Sequence, residues 1–178
     1  SSNALVTFYN MFIDIGPVSV LIRGEKDGKE YKFHREHLAK EVDGILTELR
    51  EALPVLKQRA SMIKNVSQLP EIARRMVDAA KKIDEVSLTP MAAVAGAVSD
   101  EIKKYLIKEG LHFISVNNGG DISVYNKTGR MVRVGIGSMN KDTSTPYSLR
   151  IEGLSDFGIA TSGFGGRSFT LGLADVAT

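Results

Sequence analysis

The spacing of apolar residues changes twice along the chain and divides it into three stretches. The first, Tyr9 to Phe33, opens with an apolar run rich in β-branched residues and interrupted by Gly16-Pro17. That pattern predicts two strands, Met11–Ile15 and Val18–Arg23, joined by a tight turn. Asp27-Gly28 marks a second hairpin turn, since φ > 0 costs Gly nothing and Asp little. A short strand, Glu30–Phe33, is expected to follow.

The second stretch, about His34 to Gly110, takes a helical period. Leu38, Val42, Ile45, Leu49, Leu53 and Leu56 recur every three or four residues and mark one helix face. Pro54 is expected to kink or divide that helix, because it lacks an N–H and its ring crowds the preceding turn. Ile72, Met76, Ala80 and Ile83 continue the period after Pro70, a residue suited to a first turn. Met91, Val94, Val98, Ile102 and Leu106 form a third face after Pro90, and Gly110 is placed to cap its end. The Glu, Lys and Arg residues along these helices read as a solvated face.

The third stretch, Leu111 to Thr178, returns to strand-like runs and is dense in Gly. Candidate strands are His112–Val116, Asp121–Tyr125, Met131–Ile136, Tyr147–Ile151 and Gly158–Thr161, with a turn at Lys127–Arg130. From Ile151 onward only Glu152, Asp156, Arg167 and Asp175 carry charge, so this part is expected to be buried or to line a site. Together the three stretches predict an α+β fold, a mostly antiparallel sheet packed with several helices, as a single domain over residues 1–178. Ser1-Ser2-Asn3-Ala4 reads as a cloning remnant.

Composition narrows the chemistry. Among 178 residues, Lys plus Arg is 23 and Asp plus Glu is 21, a net charge of +2 that gives no reason to expect nucleic acid or an acidic membrane as partner. The absence of Cys excludes disulfides, thiolate nucleophiles and Cys-ligated zinc or iron–sulfur centres. Three His, namely His34, His37 and His112, have no zincin spacing; the first two are expected near a helix start and the third in a strand. No apolar run reaches about 18 residues, so no transmembrane helix is expected. No signal peptide is visible, and a cytoplasmic location is the expectation.

Four segments can carry chemistry. Asn117-Asn118-Gly119-Gly120-Asp121 lies between two strand-like runs. It reads as a β-hairpin turn, or as a tight loop where a ligand approaches backbone N–H groups and Asp121 meets a hydroxyl or a metal. Ala160 to Ser168 holds three Gly, three hydroxyl side chains and Arg167. It reads as a Gly-rich bend or as an anion-binding nest, and it lacks the Gly-Lys-Ser/Thr ending of a Walker loop. Ala174-Asp175-Val176-Ala177-Thr178, if helical, places Asp175 and Thr178 on one side as hard oxygen donors suited to Mg²⁺; equally, Asp175 could serve the helix dipole. The small residues of Ala92 to Asp100 let a helix pack closely against a sheet or a ligand, and close helix packing is the favoured reading.

In order, these segments resemble the ApbE superfamily, whose best-known members are FAD:protein FMN transferases. The resemblance spans roughly Thr89 to Thr178. Family members carry Lys-Gly-x-x-x-Asp on a helix, an Asn-x-Gly-Gly-Asp-like loop, a Thr-Ser-Gly turn and an Ala-Asp-x-x-x-Thr metal motif. Here these are Ala95-Gly96-Ala97-Val98-Ser99-Asp100, Asn117 to Asp121, Thr161-Ser162-Gly163 and Ala174 to Thr178. Ala95 stands at the family's Lys, the His-Ile-x-Asp-Pro segment is missing, and the Asp-to-Thr spacing is one shorter. The resemblance implies FAD and Mg²⁺ as cofactors and transfer of FMN to a Thr of a target protein. It implies that Asn118, Gly119, Gly120, Asp121, Thr161, Ser162 and Gly163 line a flavin site, and that Asp175 and Thr178 bind Mg²⁺. Because the chain stops inside the last motif, the natural protein is expected to continue past Thr178.

The leading expectation is therefore an ApbE-like domain that binds a flavin nucleotide. The alternatives are a non-catalytic binding or assembly protein that keeps the fold without the flavin site, and an enzyme acting on another phosphorylated ligand. A homo-oligomer is compatible with the long helices, and no motif specifies one.

Overall fold

The computed structural model describes residues 11–136, 147–163 and 174–177. β1 (Met11–Ile15) and β2 (Val18–Lys26) form an antiparallel hairpin that pairs Ile15 with Val18 around Gly16, at φ +57°. At the second turn Asp27 and Gly28 have φ 52° and 72°, the two positive values a tight hairpin turn of matching twist needs. β3 (Lys29–Glu30) is shorter than expected. Val18, Val20 and Ile22 alternate into the main core, as a strand with one buried face requires.

Three helices cover that face: α1 (Arg35–Leu56), α2 (Glu71–Asp84) and α3 (Val94–Lys108). Most positions the period marked are buried, including Leu38, Val42, Ile45 and Leu49 of α1, Ile72, Met76 and Ala80 of α2, and Val98, Ile102 and Leu106 of α3, whereas Ile83, in the last turn of α2, is 80% exposed. Pro54 does not divide α1. It falls in the last turn, where few bonds remain to be lost, and the helix ends at Leu56 with the Lys57 N–H donating to the Leu53 carbonyl at 3.1 Å. Pro70 stands one position before α2 rather than inside its first turn. Pro90–Ala93 forms a 3₁₀ turn leading into α3, and Gly110 takes φ +79° just past its end.

The strands that follow are β4 (Phe113–Asn118), β5 (Asp121–Asn126), β6 (Val132–Ile136), β7 (Tyr147–Ile151), β8 (Asp156–Gly163) and β9 (Ala174–Ala177). His112 lies just before β4, not within it. The main sheet runs β1-β2-β4-β5-β8-β9, with β3 beside β2, and every pairing is antiparallel. The fold is thus α+β with an antiparallel sheet. On the face away from the helices, the β6–β7 hairpin packs Val132, Val134, Leu149 and Ile151 against Phe113, Val124, Phe157 and Ile159.

Two expectations near the C-terminus are corrected. Thr161-Ser162-Gly163 is no turn: β8 continues through Gly163. Ala174–Ala177 is a strand, not a helix, because the free edge of β8 supplies backbone partners that a four-residue helix could not. The helical spacing that would have put Asp175 on one side with a hydroxyl is thereby replaced by strand alternation at Asp175. Thr178 itself lies outside the described residues, as does Phe164 to Ser168.

Candidate functional site

The predicted hairpin at Asn117 to Asp121 forms as expected. Asn118 pairs with Asp121, and Gly119 and Gly120 turn between them at φ +65° and +108°. The Gly120 N–H donates to Asn117 Oδ1 at 2.9 Å and fixes the turn. Hydrogen bonds then stitch this hairpin to α3. Asn118 Nδ2 donates to the Ala95 carbonyl at 3.3 Å, buried Ser99 Oγ donates to the Asp121 carbonyl at 2.9 Å, and Ser123 Oγ donates to Asp100 Oδ1. Two of the four segments singled out in the sequence are thereby brought together.

Beside this seam opens a cleft of about 480 Å³. α2 contributes Arg75, Met76 and Ala79 to one wall. The 3₁₀ turn and α3 contribute Ala92, Ala93, Gly96, Ala97 and Asp100. The sheet side is Asp121–Ser123 of β5 and Gly158–Ala160 of β8. Gly96 decides between the two readings of the small-residue segment. A Cβ added there would meet nothing within 4 Å, so this glycine is not required for close packing against the protein. It widens the cleft instead.

The charges around the cleft are largely tied up. Lys103 is only 7% exposed, and its Nζ lies 2.5 Å from Asp156 Oδ1 and 3.3 Å from Asp100 Oδ1. It links α3 to β8 behind the cleft wall and compensates the Asp100 carboxylate. Arg75 pairs through one terminal nitrogen with Glu101 of α3. Lys104 joins this group, 3.4 Å from Glu101 and 2.9 Å from Glu71, and its hydrogen bond holds the Glu71 carboxyl below the usual carboxylate range. Arg75 Nε is buried and has no hydrogen-bond partner. A buried donor left in that state costs about 1–3 kcal/mol.

Of the residues expected to bind a flavin, Asp121 lines the cleft, and Asn118, Gly119 and Gly120 form the turn next to it. The backbone of Thr161, Ser162 and Gly163 continues the strand from Ala160, which lines the cleft. β9 pairs Asp175 with Ser162, so the expected metal residue and an expected flavin residue are neighbours in the sheet. No group of three or more His, Asp or Glu side chains suited to a metal occurs among the described residues. Sequence reasoning missed Arg75, Met76 and Ala79 of α2, and also Lys103. Arg75 and Lys103 look like any other charge on an amphipathic helix, and nothing in their spacing separates them from solvated neighbours. Among the described residues, no helix is long and apolar enough to cross a membrane.

Comparison with known proteins gives the chain its relatives. It is 38% identical over 115 residues to a UPF0280 protein of Methanospirillum hungatei, covering 64% of this chain and 45% of that one. A UPF0280 protein of Methanosphaera stadtmanae is 32% identical over 123 residues, 67% of this chain and 50% of its own. One of Methanococcus maripaludis is 32% identical over 127 residues, 70% and 50% respectively. The chain spans about half the length of these curated relatives. A family model described as AbpE bacteria matches residues 6–178, and the chain belongs to that family.

Proposed function

We propose that the protein binds a flavin nucleotide in the cleft between α2, α3 and the β5–β8 pair. The observation that carries this reading is the open wall of small residues, Ala92, Ala93, Gly96 and Ala97, facing the sheet across about 480 Å³. A slot walled by small apolar side chains suits a planar ring, and a few polar groups at its rim fix the ring's orientation. The likeness to the ApbE superfamily supports the same reading, because its helix and loop motifs are the ones hydrogen-bonded together here. The proposal is binding rather than FMN transfer, since Ala95 stands where that likeness expects a cation.

The donor set for Mg²⁺ is incomplete among the described residues. Asp100 and Asp121 are the two carboxylates on the cleft lining, and Asp100 already meets Lys103 and Ser123. Asp175 and Thr178 would have to complete a hard-oxygen site.

Calorimetric titration with FAD, with and without Mg²⁺, tests the reading on the wild type and on Asp175→Ala. One-to-one binding of FAD is the expected result. Strengthening by Mg²⁺ that is lost in Asp175→Ala would add the metal. Absence of binding heat under both conditions, at a protein concentration well above micromolar, would overturn the flavin assignment.

A further inference from the structure

We infer that Arg75 is the group that recognises the anionic, phosphate-bearing part of the ligand, so that the cleft selects phosphorylated flavins over the neutral ring alone. This rests on the reading of the cleft as a flavin-nucleotide site and names the residue that sets its specificity. Among the described residues lining the cleft, Arg75 is the one cation; Asp100 and Asp121 are the acids. Glu101 holds one terminal nitrogen of the guanidinium, and Glu101 in turn meets Lys104. Arg75 is therefore oriented by α3 while it projects from α2. Its Nε–H is buried without an acceptor.

A guanidinium has five N–H donors in a rigid fork, which match two oxygens of a phosphate at once. With Nη2 fixed on Glu101, the guanidinium is held in one orientation on the cleft lining, where a second oxygen-rich partner can pair with it. A phosphate there would be drawn by the guanidinium charge against the repulsion of the two cleft carboxylates, Asp100 and Asp121. Asp100 opposes an anion little, because Lys103 and Ser123 both face it. Arg75 also supplies a cation to a cleft whose helix motif has Ala95 in place of Lys.

The experiment uses two independent probes. First, riboflavin, FMN and FAD are titrated into the wild type, Arg75→Gln and Arg75→Lys, with thermal denaturation to confirm that each variant folds. The wild type should prefer FMN over riboflavin by about tenfold to a hundredfold, the range for a charge-assisted hydrogen bond. Arg75→Gln should erase that preference and leave riboflavin affinity within about twofold of wild type, whereas Arg75→Lys should keep part of it. Second, the Arg75 Nε–H resonance, assigned by its loss in Arg75→Lys, is followed while inorganic pyrophosphate is added. It should shift saturably, and less at high salt.

If pyrophosphate moves that resonance and no flavin binds, the anion role of Arg75 stands and the flavin reading fails. If flavins bind, Arg75→Gln keeps the phosphate preference, and pyrophosphate leaves the resonance in place, the role of Arg75 is overturned and the flavin reading survives. If neither probe binds, both are overturned.

Discussion

Gly96 offers the sharpest separation of folding from binding. It lies in the first turn of α3, its added Cβ would meet nothing within 4 Å, and it faces the cleft. Alanine is the better helix former by about 0.5–1 kcal/mol, so Gly96→Ala should stabilise the protein by roughly that amount. For a chain of this size that is a rise in Tm of about 1–4 °C. Gly44, mid-way along α1, is equally open and far from the cleft in sequence, so Gly44→Ala should give a similar gain and serves as the control. Gly96→Leu adds a branched side chain to the cleft wall. If a ring slides along that wall, the misfit should cost about 1–3 kcal/mol of binding, roughly a tenfold to hundredfold loss of FAD affinity. Differential scanning calorimetry reads the first effect and FAD titration the second. A Tm lowered by several degrees in Gly96→Ala would mean that the helix face is packed after all. Unchanged FAD affinity in Gly96→Leu would place any flavin elsewhere.

Three further outcomes follow from the same physics. Lys103→Met removes a nearly buried cation whose carboxylate partners, Asp100 and Asp156, are about half exposed. The loss should therefore fall below that of a fully buried pair, at about 1–2 kcal/mol, read as a lower urea midpoint. In Gly24→Ala the new Cβ would come within 2.5 Å of Leu111 Cδ2 and 2.7 Å of Phe33 Cζ, so overpacking should destabilise by about 1–3 kcal/mol on thermal denaturation. Asp84 at the end of α2 accepts the N–H groups of Ser87 and Val86, and these bonds, Ser87 first, hold its carboxyl below the ordinary 3.8. A lowered folded pKa contributes stability above the unfolded value and loses it as pH falls through the folded value. Tm measured against pH should accordingly show wild type above Asp84→Ala at neutral pH, with the two converging in the acid range below 3.8.

Local patterns carried most of the fold into the sequence. Val18, Val20 and Ile22 announce a half-buried strand, and Leu38 to Leu56 a helix face, because each repeats long enough to fix a period. Asn118-Gly119-Gly120-Asp121 announces a hairpin because its backbone demands positive φ. Ala174–Ala177 is too short to express any period, and its pairing with β8 is decided by an edge about a dozen residues away in the chain. The site divides the same way. Asp121 and the Ala92–Ala97 wall lie in segments that stood out. Arg75 entered it through the packing of α2 against α3, which leaves no mark on local spacing. The role of Gly96 was legible only in part, since a small residue permits close packing and open space equally, and the neighbours decide which.

Backbone amide resonances followed during FAD titration locate the ligand on the protein. Binding in the cleft between α2, α3 and the β5–β8 pair should give saturable shifts at Ala93, Gly96, Ala97, Ile122 and Gly158, with Phe12, Leu21 and Gly44 unmoved. Shifts confined to the β1–β2 hairpin or to α1, with the cleft residues silent, would contradict it.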